Sequence, residues 1–354
     1  PIPLAPRHYA IVTASLCCAI HAPTLRAQDQ TVPEYSLEDL MKVEVVSAAR
    51  KTQTLLDVPA AVFVLTHDDI ERSGAASLPE ALRLVPGVQV ARLSSGTWAV
   101  SVRGSNNRFS NKLQVLIDGR SIYSPLFGGV LWEGEHVPLF DIERIEVIRG
   151  PGAAAWGANA VNGVINIITR KAAATQGTVA SLTGGTRERA AGFARYGFTP
   201  APDWAARLWA SAERNAVGHT PNPPGIDDVN SSSNAGLRIE QATPGLTRSL
   251  NLAAFHSDLD YGLTVPVLGP PYSAAVGSHE SYQGASLTFR EERTLSAASD
   301  LAYQTSFERT TLKIRPFEEV RNKLAAEAQH RVRWLPTHEL VWGGAASYSG
   351  DRIT

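Results

Sequence analysis

Two cysteines and nine histidines are the soft or imidazole ligands available in this 354-residue chain, and no grouping of them suggests catalysis. Cys17 and Cys18 both fall inside an apolar run from Tyr9 to Ile20. If that run is removed on export, no disulfide, thiol nucleophile or cysteine-held metal remains. His67-Asp68-Asp69 puts an imidazole beside two carboxylates, but at a helix start, where carboxylates favour the positive end of the helix dipole. HExxH, P-loop and GxSxG patterns are absent, and Gly150-Pro-Gly-Ala-Ala-Ala-Trp-Gly157 is spaced wrongly for a dinucleotide loop. The reading is a protein with no enzymatic activity and no cofactor. Binding chemistry remains: arginines beside turns at Arg103-Gly104 and Arg149-Gly150, amides and an aromatic at Asn106-Asn107-Arg108-Phe109, and the aromatics Tyr123, Phe127 and Trp132.

Those groups need elements to hold them. Residues 1–27 read as a secretory signal, with Arg7 and His8 before the apolar run and Leu25-Arg26-Ala27 as a cleavage site. The run of 12 apolar residues is too short to span a bilayer as a helix. Residues 28–42 form a polar, flexible leader. From 43 to 171 short β runs alternate with brief helices: strands at 62–65, 88–90, 100–102, 113–117, 145–148 and 164–168, and capped helices starting at Thr66/Asp69 and Ser77/Glu80. Glycine turns separate them, as expected of a compact α+β domain. Lys and Arg total 33 against 34 Asp and Glu, so there is no basic surplus for nucleic acid.

Beyond Lys171 the period changes from helical to two. Strands are expected near 177–184, 190–199, 203–214, 231–241, 246–258, 280–291, 296–308, 323–334 and 338–349. In the eighth, Leu324, Ala326, Ala328, His330, Val332 and Trp334 make one row, and Ala325, Glu327, Gln329, Arg331 and Arg333 the other. Trp209 breaks this rule by falling on a polar row. Short links (200–202, 243–245, 335–337) alternate with longer ones (215–230, 259–279, 309–322). Transmembrane β-barrels sort their connections by end in this way; soluble sandwiches have no reason to. An open nine-stranded sheet would leave exposed edges, so residues 172–354 read as the N-terminal part of an antiparallel transmembrane barrel, truncated at the C-terminus.

The 43–171 region resembles the plug domain of TonB-dependent outer-membrane receptors, and within them the plugs of vitamin B12 receptors. Asp141-Ile-Glu-Arg-Ile-Glu-Val-Ile-Arg-Gly-Pro-Gly152 followed by Trp156-Gly-Ala-Asn-Ala-Val-Asn-Gly-Val-Ile-Asn-Ile-Ile-Thr169 is similar to the family's plug ending. Arg103-Gly104, Val115-Leu-Ile-Asp-Gly119 and Ala81-Leu82…Val85-Pro86-Gly87-Val88 match earlier plug signatures in order. Trp156 stands where the family usually has Tyr, and Asn162 where it has Gly; asparagine tolerates left-handed backbone. The resemblance implies a Gram-negative outer-membrane location and a 22-stranded barrel filled by the plug, so that about 13 strands would follow Thr354. It implies active import of a scarce, large nutrient, a ferric siderophore first, with cobalamin, oligosaccharide or peptide as alternatives, and ligand sensing without transport as another. It implies TonB as partner, with ExbB and ExbD in the inner membrane, and contact with outer-membrane lipid.

By position, Val43, Glu44, Val45, Val46, Ser47 and Ala48 fit the TonB box, a β-prone run able to add to a partner's sheet edge; the same residues could instead be the plug's own first strand. The resemblance places Arg103 and Arg149 against barrel carboxylates, Glu327 among the candidates; both could also be solvated charges. Asn106, Asn107, Arg108, Phe109, Tyr123 and Phe127 are the expected ligand contacts, and the aromatics, Trp132 included, could instead pack on the barrel wall.

Overall fold

The computed structural model describes residues 44–45, 53–54, 60–134, 137–152, 156–157, 159–186, 188–216, 228–335 and 338–354. The signal at 1–27, the leader at 28–42, and Val43, Val46, Ser47 and Ala48 lie outside the described residues. Strand β1 (Glu44–Val45) pairs antiparallel with β2 (Gln53–Thr54), and Val45 is buried.

The chain then builds β3 (Val62–Thr66), α1 (His67–Ser73), α2 (Leu78–Ala81), β4 (Val88–Arg92), β5 (Trp98–Val102), β6 (Leu113–Ile117), β7 (Arg120–Ser121), β8 (Ile142–Arg149) and β9 (Gly163–Thr169). Thr66 and Asp69 form the expected capping box, each side chain accepting from the other's backbone N–H. At α2 the expected box is shifted by one residue. Ser77 accepts from the Glu80 amide, but the Glu80 carboxylate accepts from the Ala76 amide (3.0 Å). Residues Leu82–Leu84 tighten into a 3-10 turn before Pro86-Gly87.

Five of these strands form one sheet in the order β3-β8-β9-β6-β7, with β6 and β9 parallel and the other pairs antiparallel. The runs Leu113–Ile117 and Gly163–Thr169 are apolar almost throughout because both faces of the sheet are covered. On one face Val115, Ile145, Val147, Ile165 and Ile167 pack with Ile70, Leu82 and Val85. On the other, Leu116, Ile148 and Val164 pack with Ala160 and Trp156. Trp132 belongs to the first cluster, so it packs in the core of this domain. Asn162 is not left-handed. It fits because its amide donates to Lys112 O (2.8 Å) and its carbonyl accepts from Gly150 N (3.0 Å).

A 3-10 turn at Ala172–Thr175 leads into nine antiparallel strands, each bonded to the next in sequence: β10 (Gly177–Thr183), β11 (Glu188–Phe198), β12 (Trp204–Ala216), β13 (Val229–Thr243), β14 (Leu246–Pro266), β15 (Ser273–Ser296), β16 (Ser299–Ile314), β17 (Phe317–Leu335) and β18 (His338–Ile353). All nine expected strands are present. Several run further than their sequence signal. β14 and β15 have 21 and 24 residues, so the long connection expected at 259–279 shrinks to Val267–Tyr272. The one expected at 309–322 shrinks to Arg315-Pro316. The ladder continues because its backbone bonds do not depend on an outward apolar row, and the outward row of these extensions carries polar side chains such as Asp260, His279, Arg309 and Lys313.

The two faces of this sheet are opposite in character to those of a soluble β protein. Leu182, Leu208, Leu252, Phe307, Leu324, Trp342 and Tyr348 point out and are exposed. Arg195, Arg207, Asn230, Ser232, Asn234, Glu280, Glu319 and Arg321 point in and are buried. Apolar outside and polar inside is the pattern of a sheet whose outer solvent is lipid. Among the described residues no helix is long and apolar enough to cross a membrane. Trp209, on the inward row, lies over Gly236, where a Cβ would come within 2.5 Å of its ring.

Candidate functional site

The inward face of the sheet is occupied by the α+β domain, and the contacts between them define the site. The plug-like domain meets the wall in three zones. Near the entry end, where the chain passes from β9 to β10, Asp118 and Asp141 reach Arg238, Arg195 and Arg207. Midway, Arg120 pairs with Glu308, Lys323 Nζ donates to Ser121 O (2.8 Å), and Arg321 Nη1 donates to Ser124 Oγ (3.0 Å). Separately, the Ser95 amide donates to Asp228 Oδ1 (2.7 Å) at the start of β13.

The third zone holds the expected ligand residues. Arg108 inserts between Glu133 of its own domain and Glu280 of β15; Tyr261 of β14 donates to the same Glu280 carboxylate. Burial works against the Arg108 charge, but the two carboxylates outweigh it and hold the guanidinium ionised beyond its ordinary range. Burial pushes the Glu133 carboxyl up, and Arg108 offsets part of that rise. Arg108 lies 5.2 Å from the Phe109 ring centre, and Phe109 stacks on Phe127 at 4.8 Å. Phe127 in turn meets Phe317 of β17, while Leu131 packs with Tyr282 and Leu312. Arg108, Phe109 and Phe127 therefore bind the wall in this structure. Asn106 and Asn107 are exposed. Tyr123 lines a cleft of about 530 Å³ with Trp156 and Asn159 on one side and Gln304, Lys323 and Glu327 on the other; burial raises its phenol above the ordinary range.

A second cleft, about 540 Å³, separates α1, α2 and the 92–98 turn from β10–β13. Its wall side includes small or polar groups (Ser181, Thr183, Gly192, Ser211, Asn215 and Asn234) and the aromatic Phe193. The domain thus meets β14–β17 through rings and ion pairs, and it meets β11 and β12 through Asp141 and the Phe140–Phe193 stack, with clefts left between these contacts.

Gly134 marks how close the seal is. A Cβ there would sit 2.0 Å from the Tyr282 ring and 3.0 Å from that of Phe255. Gly134→Val should therefore force the two bodies apart, at a cost of about 1–3 kcal/mol or more from overpacking. Protease digestion of the folded protein checks this, with faster cleavage in the 105–134 region than in the parent.

The two arginines expected to contact the wall make their contacts, among the described residues, within their own domain. Arg149 Nη1 donates to Pro86 O (3.2 Å) inside its own domain. Arg103 is exposed, in a left-handed conformation (φ 59°), with its guanidinium beside Gly150. The reason is local: each follows a strand into a glycine turn on the surface of the domain that does not face the described strands. Wall contacts come from Arg108 and Arg120, and from carboxylates of the domain meeting arginines of the wall. Single charges on the inward rows at Arg195, Arg207 and Arg238 were the available signal. The Asp69 carboxylate serves the α1 cap, and His67 Nδ1 lies 2.8 Å from Ile142 O.

Comparison with known proteins places this arrangement. Residues 54–164 match the TonB-dependent Receptor Plug Domain. A vitamin B12 transporter BtuB of Vibrio vulnificus is 40% identical over 144 residues, 40% of this chain and 23% of that protein. An iron-regulated outer membrane virulence protein of Vibrio cholerae serotype O1 is 37% identical over 150 residues, 41% of this chain and 21% of that protein. In three dimensions the ferric-catecholate import receptor Fiu of E. coli K12, open form, aligns over 86% of this chain and 52% of its own (TM-score 0.66, 17% identity). The siderophore receptor PirA of Acinetobacter baumannii aligns over 83% of this chain and 48% of its own (TM-score 0.61, 19% identity). The chain thus spans about half the length of these solved receptors, and its matched stretch spans about a quarter of the curated relatives.

Proposed function

This chain belongs to the TonB-dependent receptors of the outer membrane, and from that premise we propose that it imports a scarce, large nutrient, a ferric siderophore first, by TonB-coupled active transport. One observation carries the reading. A folded, water-soluble domain is seated on the polar inward face of a lipid-facing sheet through ion pairs and hydrogen bonds, with a pre-existing cleft along one side. Such a seal can be displaced as a body, since its polar groups are satisfied by water on release. Energy from TonB would reach the plug through Val43–Ala48, residues 43–171 acting as the plug and residues 172–354 as barrel wall.

Cobalamin is the second reading, favoured by 40% identity over 144 residues to a vitamin B12 transporter. Plug residues alone discriminate poorly between the two, because Arg108, Phe109 and Phe127, which could have read a ligand, are engaged with the wall. The test is uptake of radiolabelled ferric siderophores and of cyanocobalamin by cells carrying the protein as their sole such receptor, with and without functional TonB. TonB-dependent uptake of a siderophore is the expected result. TonB-dependent uptake of cyanocobalamin alone would move the substrate to the second reading, and entry of either at the same rate without TonB would remove the mechanism.

A further inference from the structure

The entry-end zone has an arrangement of charge that the wall cannot tolerate alone. Arg207 of β12 stands directly opposite Arg238 of β13 in the strand register, and Arg195 of β11 points into the same space. All three side chains are nearly buried, between 3% and 12% exposed. Like charges face to face across a ladder repel. Glu240, also on β13, meets Arg238 Nε at 2.6 Å. The remaining neutralisation comes from outside the wall. Asp118 accepts from Arg238 Nη1 at 3.1 Å. Asp141 accepts from Arg195 and lies 3.8 Å from Arg207 Nη1.

Both aspartates are held rigidly for this task. Asp118 sits in the β6–β7 turn at φ 48°, its carboxylate fixed by the Thr169 amide (2.9 Å) and hydroxyl (2.7 Å). Asp141 ends the turn before β8, and its carbonyl accepts from Arg170 N (2.8 Å) where the chain leaves the plug. Three cations thus meet three carboxylates, two of them supplied by the plug. The second Asp141 oxygen and two Arg207 nitrogens make no direct hydrogen bond among the described residues, and a cavity of about 110 Å³ touches both groups.

We propose that Asp118 and Asp141 are positioning residues that key the plug into a cationic patch on β11–β13, and that the charge balance there keeps the resting lumen closed. This rests on the reading of the domain as a plug within the barrel. The polarity is the reverse of the pairing expected from Arg103 and Arg149: the plug brings the anions and the wall the cations. Removing Asp141 leaves Arg195 and Arg207 buried without a carboxylate and repelling each other, which favours displacement of the plug into water. Removing the whole Asp141 branch leaves Arg238 bonded to both Asp118 and Glu240, so no buried cation of the patch is left without a carboxylate.

The test is leak conductance of the purified protein in planar lipid bilayers, without ligand or TonB. Asp141→Asn should open about tenfold more often than the parent, while the triple variant D141N/R195Q/R207Q should fall within about twofold of it, since a buried ion group is more costly broken than absent. The D141N leak should also grow at low salt, where repulsion is less screened. A merely structural role for Asp141 would not be rescued by two further substitutions. A D141N protein as quiet as the parent, or a triple variant as leaky as D141N, would overturn the inference. If D141N does not insert, the R195Q/R207Q double variant, which strands Asp141 instead, reads the same rescue. A parent that is itself steadily open would remove the plug reading, and this inference with it.

Discussion

Replacing Arg108 by alanine is expected to weaken the seating of the plug by about 3–5 kcal/mol, the usual result of stranding buried charge. Arg108 is the cation between Glu133 and Glu280, whose side chains are 4% and 3% exposed. Without it, two desolvated carboxylates face each other, and the Tyr261 hydroxyl is a weak substitute for a guanidinium. The stack of Arg108 on Phe109 is lost as well. An exposed pair of the same geometry would be worth about 1 kcal/mol or less, so the magnitude itself tests burial. Urea-induced release of the plug, followed by protease sensitivity of parent and variant, measures it.

The same variant should show a diagnostic pH dependence. Burial raises the Glu133 carboxyl, and Arg108 opposes the rise; its removal raises that carboxyl further. A carboxyl raised by folding takes up a proton more readily in the native state. Its favourable contribution is complete below the unfolded value, about 4.3, and is lost as pH rises through the folded value. The R108A defect should therefore be smallest under acid conditions and grow toward neutral pH. A defect independent of pH would show that Glu133 is not the group left stranded.

Val45→Pro is expected to lower energised uptake by about tenfold or more while leaving ligand binding at the cell surface unchanged, because proline cannot donate to a ladder. Val45 is paired with Gln53 and buried, so the segment is docked as β1 in this structure, and the proposed TonB-box role requires that strand to peel away. Val45→Thr keeps β-propensity and the amide and should retain most uptake. Measuring binding and uptake on the same cells separates the roles. Loss of binding together with uptake would mean that Val45 matters for plug integrity and that the TonB box lies elsewhere.

How far the sequence carried the fold can be judged at its edges. The rows Leu324–Trp334 and Ser299–Glu308 announced their strands because lipid on one side and a polar interior on the other impose opposite demands on alternate residues. The signal failed at 259–266, 273–279 and 309–322, where the ladder continues past the lipid. Asp260 and His279 there are exposed and read as loop, although their backbone is fully paired. Within the plug, strands and caps were legible from apolar runs and the Thr66/Asp69 signature. The wall contacts were less so. Asp141 and Arg195 are 54 residues apart, and Asp118 and Arg238 are 120 apart. Nothing local marks a lone charge as one half of such a pair. Arg108 and Phe127 were selected for the right physical properties, but in this structure they bind the wall, because the segment that carries them approaches β15 and β17.

The length of β14 and β15 has a consequence for where this wall can move. An apolar band about 25 Å tall needs only about 9–11 tilted residues per strand, so roughly half of each strand stands clear of the bilayer as a ribbon bonded rung by rung. That ribbon behaves as a splint. Only Val267–Tyr272 can rearrange without unzipping it, so any movement on this side of the molecule must be hinged at the tip of the hairpin or borrowed from neighbouring connections.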